Sequence, residues 1–401
     1  MAAAVRDAVW EEIAGRADEL LDLCAECVRI PAVNPPGDTT AIAARARAYL
    51  EAAGFAVDVH APHAGAPNLI ATLGRTGARP RLVVNGHLDT FPVAAGDWRH
   101  GSPFSGALED GRIYGCGASD MRGGLAAILF AAAVVKARED EFAGRVTVAL
   151  VSDEETGGRV GTGWLLEHVD AMRADGCLVA DQCGTDRVAV GEKGICFLSL
   201  RTTGRSSHAA YGSADSANHR LLAVLAAVRE LERLAPPDAP PRQVGLDDRV
   251  TVNVGRIEGG VSPNLVADSA LARVDVRLPV WLTSERLLAE AEHAIERAGV
   301  ACELTVDLLA EPSISPLEAP VVQSALAAGR RAVGRDARPV VRLGASDARL
   351  FRAAGIPTAV YGPAPHAMGD VDEFVRCDEV VATAQVHAAA MLDALLGAPG
   401  P

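Results

Sequence analysis

Short, nearly uninterrupted apolar runs alternate with helical patterns along most of this chain, and this alternation limits the fold more than any other feature. Arg81–Asn85, Arg145–Ser152 and Gly176–Ala180 have the length and composition of buried strands. Gly124–Ala137, rich in alanine and leucine, has the length of a crossover helix. Strands that are apolar on both faces are typical of parallel sheets covered by helices. The sequence therefore predicts an α/β fold with a mainly parallel-core sheet flanked by helices.

A different pattern begins near residue 195. A strand with one wet face is followed by a helix, two strands, a second helix and a final strand, at Ile195–Thr203, Ala217–Leu234, Arg249–Gly255, Ser269–Leu278, Thr283–Ala298 and Cys302–Leu308. This β-α-β-β-α-β order is that of a ferredoxin-like α+β domain. We expect residues 1–194 and 309–401 to form one domain, and residues 195–308 to form a second domain inserted into it.

The length and charge of the chain restrict the function further. Its 401 residues exceed what one ordinary hydrophobic core supports, which agrees with two domains. A formal net charge of −14 argues against a nucleic acid partner, because binding to phosphates requires a basic surface. The sequence has no run of about 18 uninterrupted apolar residues and no signal-peptide pattern at its start. We therefore expect a cytoplasmic protein with no membrane segment.

Histidine and carboxylate side chains follow several of the predicted strands. His87 comes directly after one strand in the run VVNGHLDT, and Asp89 can fix the tautomer of a ligating histidine by accepting from its second ring nitrogen. Asp120 precedes the long helix in the glycine-rich run GCGASDMRGG. A turn histidine or a helix-capping aspartate would have the same sequence context. Taken alone, neither motif identifies a metal site.

Two further motifs combine acids with a histidine. Asp153, Glu154 and Glu155 form a triple acid after a buried strand, where a bound cation would offset their repulsion. One of two adjacent glutamates can bind a metal ion while its neighbour acts as general base on the bound water. His366 follows a later strand in YGPAPHAMGDVDEFV, and Asp181 ends the strand of GCLVAD.

Together these positions predict a metal centre. Ligands of open α/β sheets gather beyond the carboxyl ends of the strands. The candidate metal ligands all fall just beyond predicted strands: His87, Asp120, Glu155, Asp181 and His366. Two imidazoles and three carboxylates suit two divalent transition ions about 3.5–4 Å apart. Zinc is the first candidate for nitrogen and oxygen ligands in a hydrolytic site, with cobalt or manganese as alternatives.

These motifs, in this order, resemble those of the M20 metallopeptidase and deacylase family, which includes acetylornithine deacetylases, succinyl-diaminopimelate desuccinylases and glutamate carboxypeptidases. The resemblance covers nearly the whole chain, including IPAVNPPGD near its start. It implies a catalytic domain like that of zinc peptidases and an inserted lid domain through which two chains form a homodimer. It also implies that Asp120 bridges the two metal ions. His87 and Asp181 would then bind one ion, and Glu155 and His366 would bind the other.

The same resemblance implies roles for residues other than the metal ligands. Glu154 would be the general base, with Asp89 behind the ligand His87. His208, in the run GRSSHAAYG of the inserted domain, would stabilise an oxyanion in the active site of a partner subunit. The candidate substrate-binding residues are Asn264, Arg277, Gly344 and Ser346. An exposed ion pair is the alternative explanation for Arg277.

These features predict a metal-dependent amidohydrolase. The expected reaction is hydrolysis of the amide bond of an N-acyl amino acid, or a related N-acyl amine, by metal-activated water. A dipeptidase or carboxypeptidase on the same scaffold is one alternative, because the sequence does not determine the depth of the substrate pocket. A metal-free binding protein that kept the fold is the other alternative, and such a protein would have lost a ligand or the base.

Overall fold

The computed structural model describes residues 2–75, 77–139, 142–212, 215–236, 248–334 and 336–396. The chain forms two compact units. The first unit is built from Met1–Val190, Ser315–Val340 and Ser346–Pro401, and the second from Gly191–Ile314 and Val341–Ala345. The sequence did not predict that Val341–Ala345 would join the second unit.

The helices and strands of the described residues are as follows. The helices are α1 Ala2–Gly15, α2 Ala17–Val28, α3 Thr40–Ala52, α4 Gly123–Lys136, α5 Trp164–His168, α6 Ala217–Val228, α7 Ser284–Arg297, α8 Pro320–Val333, α9 Ala348–Ala353 and α10 Cys377–Leu396. The strands are β1 Val57–His60, β2 Asn68–Gly74, β3 Arg81–His87, β4 Ala107–Glu109, β5 Arg112–Tyr114, β6 Arg145–Val151, β7 Gly176–Val179, β8 Arg187–Glu192, β9 Gly194–Thr203, β10 Thr251–Gly259, β11 Ser269–Leu278, β12 Glu303–Ala310, β13 Ser313–Ile314, β14 Arg338–Arg342, β15 Thr358–Val360 and β16 Phe374–Arg376.

The large sheet of the first unit has the strand order β1-β2-β6-β3-β7-β15-β8. Its central strands β6, β3, β7 and β15 are parallel, whereas β1, β2 and β8 run antiparallel to their neighbours. Nearly every residue of the central strands is buried, which explains their apolar composition. The prediction of an α/β fold with a mainly parallel core is confirmed.

Helix α4 approaches the sheet closely because it begins with glycine. The helix is buried along almost its whole length and packs against α10 and β3. A Cβ atom on Gly124 would lie 1.9 Å from the carbonyl oxygen of Ala180. Only glycine therefore fits at this contact, which lies directly before Asp181 at the end of β7.

Two helical stretches are long and apolar enough to span a membrane by length and composition, Ala118–Lys136 and Cys377–Leu396. Their apolar windows are 89% and 67% buried inside the protein. Core helices of globular proteins have the same composition, because all of their faces contact other elements. The regular part of the first stretch, α4, is about 21 Å long, shorter than the roughly 30 Å of a bilayer core. We therefore describe both stretches as core helices.

The second unit contains a four-stranded antiparallel sheet in the order β10-β11-β9-β12. Helices α6 and α7 pack against one face of this sheet and form a separate apolar core with it. Burial alternates along β9, as expected for a sheet covered on one face only. The chain order β9, α6, β10, β11, α7, β12 confirms the ferredoxin-like arrangement that the sequence predicted.

The close approach at Gly124 leads to the first prediction. Gly124→Ala should lower the free energy of unfolding by about 1–3 kcal/mol, because its methyl group can fit only if α4 or the end of β7 moves. Chemical denaturation would measure the loss. Gly15→Ala is the matched control, since a Cβ at Gly15 meets no atom within 4 Å. Equal stability of the two variants would contradict the argument.

His387 contributes to the pH dependence of stability in this unit. Its side chain is fully buried in α10, and its Nε2 donates a hydrogen bond to the carbonyl oxygen of Tyr361 at 2.9 Å. Burial lowers the pKa of His387 to about 4 from an ordinary value of 6.5, although the hydrogen bond to Tyr361 opposes this shift. The folded chain therefore resists protonation in a pH range where the unfolded chain accepts a proton.

The second prediction follows from the sign of this shift. Above pH 6.5 His387 is neutral in both the folded and the unfolded chain, so it takes nothing from the free energy of unfolding there. As the pH falls to about 4, His387 should remove about 3 kcal/mol from the free energy of unfolding, and below that pH no more. His387→Gln keeps a donor for Tyr361 but cannot titrate, so its stability should fall less between pH 7 and pH 4. Urea unfolding of the metal-free proteins would test this, and identical losses in both proteins would refute it.

Candidate metal centre

The parallel strands of the first unit bring the predicted ligands to one edge of the sheet. The carboxyl ends of adjacent parallel strands lie side by side, so residues that follow them become neighbours. The strands β3, β6, β7 and β15 end at or shortly before the predicted ligands His87, Glu155, Asp181 and His366, respectively. Asp120 lies in an irregular turn before α4, and Gly117, with a φ of 78°, begins this turn.

His87, Asp120 and Asp181 form the first group of candidate ligands. One ligand atom from each of the three residues lies within 4.8 Å of the others. The Nε2 atom of His87 is 3.0 Å from Oδ1 of Asp120. The resemblance to the M20 family implied the same three residues for one of two metal ions.

His87, Glu154 and Glu155 form a second group, in which the ligand atoms also lie within 4.8 Å of one another. His87 belongs to both groups, so the two groups surround one region of the first unit. Four carboxylates and one imidazole therefore lie around this region, from His87, Asp120, Glu154, Glu155 and Asp181. Such a set of nitrogen and oxygen atoms is suited to divalent transition ions.

Asp89 contacts residues of both groups of candidate ligands. Its carboxylate is fully buried and accepts hydrogen bonds from the backbone N–H groups of Glu154 and Glu155, at 3.2 and 3.1 Å. Nδ1 of His87 lies 3.0 Å from the backbone carbonyl oxygen of Asp89 and 3.5 Å from its Oδ1, and Nδ2 of Asn34 donates to Oδ2 of Asp89 at 2.9 Å. Asp89 therefore positions the histidine and the acidic turn together.

The electrostatics of the site favour a bound cation. Burial raises the pKa of Glu154 well above its ordinary value, and the nearby charges of Asp347 and Asp181 add to this shift. Burial also raises the pKa of Glu155 to about 9, and the charge of Asp120 adds to it. Although burial disfavours imidazolium, hydrogen bonds to Asp120 and Asp89 raise the pKa of His87 well above its ordinary value. Each of these shifts reflects an excess of negative charge in a poorly hydrated site.

One oxygen atom gives a direct test of whether a metal ion fits. Oε1 of Glu155 is buried and has no hydrogen-bond partner among the described residues. A buried carboxylate oxygen without a partner is costly, because it has lost its contacts with water. A cation bound between Glu155 and its neighbours would satisfy this atom, so the residues fit a metal ion.

His366 lies outside both groups in the described residues. Its Nε2 is 3.0 Å from Oε2 of Glu379, at the start of α10. Its ring stacks on that of Phe374, with the ring centroids 4.6 Å apart. The structure therefore brings four of the five predicted ligands into the two groups, and it places His366 against a carboxylate that the sequence analysis did not name.

The candidate substrate residues belong to both units. His208, Asn264, Arg277 and Gly344 are in the second unit, whereas Ser346 is in the first. His208 and Asn264 are exposed neighbours, since the residue after His208 donates its N–H to the carbonyl oxygen of Asn264 at 2.9 Å. Arg277 pairs with Asp275 on the same strand, with Nε 2.9 Å from Oδ1. Ser346 is buried, and its Oγ accepts a hydrogen bond from a backbone N–H of α9.

The sequence analysis did not predict the roles of several polar residues around the site. Asp347 is buried, accepts a hydrogen bond from Thr162 at 2.7 Å, and has a pKa raised by burial to about 7. Arg122 is fully buried and donates to the carbonyl oxygen of Leu88, between His87 and Asp89, at 2.7 Å. Arg122 lies inside the run GCGASDMRGG and Asp347 follows the candidate residue Ser346, but only the fold shows what they contact.

The fold and this cluster define a metal-dependent hydrolase. The family model of peptidase family M20/M25/M40 matches residues 83–393 of the sequence. The chain therefore belongs to this family. The predicted family and enzyme class are thus confirmed.

Sequence similarity to curated relatives extends over almost the whole chain. A succinyl-diaminopimelate desuccinylase from Methylobacterium radiotolerans is 33% identical over 378 residues, covering 89% of this chain and 92% of that protein. A succinyl-diaminopimelate desuccinylase from Gluconacetobacter diazotrophicus is 31% identical over 391 residues, covering 94% and 97% of the two chains.

Solved structures share the fold at lower identity. A metallo-carboxypeptidase of the M20 family from Sulfolobus solfataricus has a TM-score of 0.75 at 19% identity, covering 94% of this chain and 99% of its own. A dinuclear metal-binding peptidase of the M20 family from Bacillus subtilis has a TM-score of 0.68 at 15% identity, covering 94% and 98%. These likenesses support the fold over 94% of this chain.

Proposed function

We propose that this protein hydrolyses the amide bond of N-acyl amino acids, with N-succinyl amino acids as the first candidates. The observation that carries the hydrolytic chemistry is the convergence of His87, Asp120 and Asp181 beside the glutamate pair. The relatives named succinyl-diaminopimelate desuccinylase, which match about nine-tenths of the chain, support the choice of acyl group.

We assign two divalent metal ions to the site, with zinc as the first candidate. His87, Asp120 and Asp181 would hold one ion, and Glu155 and His366 would hold the other together with the bridging Asp120. The grouping of ligand atoms supports the first ligand set, and the unpartnered oxygen of Glu155 supports Glu155 as a ligand of the second ion. His366 is assigned from the family resemblance, because its Nε2 contacts Glu379 in the structure. The dinuclear site of the Bacillus subtilis relative also supports the assignment of two ions. When bound, such ions would acidify a water molecule and polarise the scissile carbonyl group.

Glu154 is the general base of the proposed reaction. It takes a proton from the attacking water as the water oxygen bonds to the carbonyl carbon. It then delivers this proton to the leaving nitrogen as the C–N bond breaks, and a carboxylic acid and an amine result. Its neighbour Glu155 binds metal in this scheme, and Asp89 holds the backbone N–H groups of both residues in place.

His208 is the proposed oxyanion donor. Its Nδ1 accepts a hydrogen bond from the backbone N–H of Ala210 at 3.2 Å. In the neutral ring the proton is therefore on Nε2, which makes Nε2 a donor. A donor aimed at a developing oxyanion contributes about 3–4 kcal/mol to catalysis.

The second unit would act as the lid and the dimer interface, in accord with the family resemblance. Asn264, Arg277, Gly344 and Ser346 remain the proposed substrate-binding residues. A substrate carboxylate at Arg277 would compete with Asp275, which now accepts hydrogen bonds from that guanidinium group. The cytoplasmic location and the homodimer stay predictions.

A peptidase is the second candidate function. The M20 carboxypeptidase from Sulfolobus solfataricus favours it, as does a tripeptidase from Staphylococcus aureus with a TM-score of 0.74 at 21% identity, covering 94% of this chain and 98% of its own. Both reactions use the same water activation, so the residues that contact the acyl group distinguish them. Substrate preference is therefore the decisive measurement.

The third prediction concerns this preference. A panel of N-succinyl amino acids, N-acetyl amino acids, dipeptides and tripeptides should give the highest kcat/KM for the N-succinyl compounds, by about tenfold or more. Chelation should abolish the activity, and zinc or cobalt should restore it. A higher kcat/KM for tripeptides or dipeptides would favour the peptidase, and activity that resists complete metal removal would reject both candidates.

The fourth prediction separates the two adjacent glutamates. Glu154→Gln should lower kcat by about 10²–10⁴-fold, because an amide cannot accept the proton, while metal binding is retained. Glu155→Gln should instead lose bound metal, because it removes a ligand charge. Metal analysis and steady-state kinetics on both variants would test this. Turnover of Glu154→Gln at the wild-type rate would exclude Glu154 as the base.

A further inference from the structure

Glu373 is a buried acid that the proposed reaction does not use. Its side chain has no exposed surface, although it lies only seven residues after His366. Its Oε2 accepts a hydrogen bond from the backbone N–H of Gly117 at 2.8 Å. Its Oε1 accepts from the backbone N–H of Ser119 at 3.0 Å and from the Ser119 hydroxyl at 2.8 Å. One carboxylate therefore holds three donors of a single short turn.

These contacts bind the turn that carries Asp120. Burying a carboxylate is costly unless hydrogen bonds compensate for the lost water, and here the compensation comes from Gly117 and Ser119, directly before the candidate bridging ligand. Burial raises the pKa of Glu373 to about 7, and the three hydrogen bonds oppose this shift because donors favour the ionised form. The carbonyl oxygen of Glu373 also accepts a hydrogen bond from Gly115 at 2.8 Å, which fixes the start of the same segment.

Phe374, the residue after Glu373, contacts the candidate ligand His366. The backbone N–H of Phe374 donates to the carbonyl oxygen of His366 at 3.3 Å. The rings of Phe374 and His366 are stacked, with an angle of 7° between their planes. Phe374 also pairs with Tyr114 between strands β16 and β5. Glu373 and Phe374 therefore join the Asp120 turn to the His366 segment through adjacent residues.

We propose that Glu373 is a positioning residue of the metal centre, which holds the Asp120 turn and the His366 segment at the separation that metal binding requires. This inference rests on the proposed function, because it takes Asp120 and His366 as metal ligands. Residues that hydrogen-bond to metal ligands hold these ligands in place. Their replacement commonly weakens metal binding by about 10–100-fold. A residue with a purely structural role would instead lower stability and leave metal affinity unchanged.

The fifth prediction is that Glu373→Gln binds metal about 10–100-fold more weakly than the wild type. The glutamine amide group has the same shape, but its NH2 must face a donor of Gly117 or Ser119, so at least one hydrogen bond is lost. The dissociation constants of Co²⁺ would be measured by competition with a chromophoric chelator. The visible absorption spectrum of bound Co²⁺ should also change, because it reports the geometry of the ligands.

Asp372→Asn is the matched control. It makes the same chemical change at the adjacent residue, whose carboxylate accepts from the backbone N–H of Arg99 at 2.7 Å and pairs with the Arg99 guanidinium group. Asp372 has a φ of 56°, a conformation that asparagine tolerates well. This control should bind Co²⁺ with the wild-type affinity and spectrum. An equal loss of affinity in the control would overturn the proposal, because it would show a nonspecific effect of the segment.

A milder variant covers the case in which Glu373→Gln does not fold. Ser119→Ala removes the one hydroxyl donor and leaves both backbone donors, so it should weaken Co²⁺ binding about two- to tenfold. In the double variant the two losses should not add, because both changes act through one contact. Unchanged Co²⁺ affinity in Ser119→Ala and in any folded Glu373→Gln protein would overturn the role of Glu373.

The wild-type measurement keeps this inference separate from the proposed function. A wild-type protein that binds two Co²⁺ ions, together with a Glu373→Gln variant that binds them equally well, would reject only the positioning role. A wild-type protein that binds fewer than two ions after reconstitution would reject the two-metal centre, and the role of Glu373 with it.

Discussion

The repulsion among carboxylates at the ends of the parallel strands is the constraint on which the rest of this structure depends. Asp120, Glu154, Glu155 and Asp181 lie around the single imidazole of His87 in a poorly hydrated site. Without a cation, protons must neutralise part of this charge, as the raised pKa values of the two glutamates indicate. A divalent cation relieves the same repulsion. The unfavourable burial of these carboxylates therefore increases the affinity of the site for a metal ion.

Acidic groups that repel one another keep their geometry only if their surroundings hold them. Asp89, Asn34, Arg122 and Glu373 do this from four separate segments, and most of their partners are backbone N–H or carbonyl groups rather than the ligand side chains themselves. The side chain of Asn34, in the proline-rich segment after α2, reaches Asp89 in this way. The segment after α2 therefore supports the site through Asn34.

The sequence allowed the prediction of the fold class and of most of the cluster, for a local reason. Apolar runs reveal buried strands, and parallel strands place their carboxyl ends at one edge, so His87 and Asp181 could be expected to meet. The position of His366 could not be obtained in this way. It depends on a long loop after β15 and on contacts with Glu379 and Phe374, which neither strand periodicity nor motif spacing encodes.

The chain by itself determined the alternation of strands and helices, the insertion of a β-α-β-β-α-β segment, and the types of side chain available at the strand ends. The sequence and the family resemblance already implied that Asp89 lies behind His87, but only the tertiary structure decided that Glu373 serves as a support. Glu373 looks like Glu155 in a linear sequence. Their roles differ because the role of a carboxylate depends on its burial and on its donors, and these donors come from segments far away in the chain.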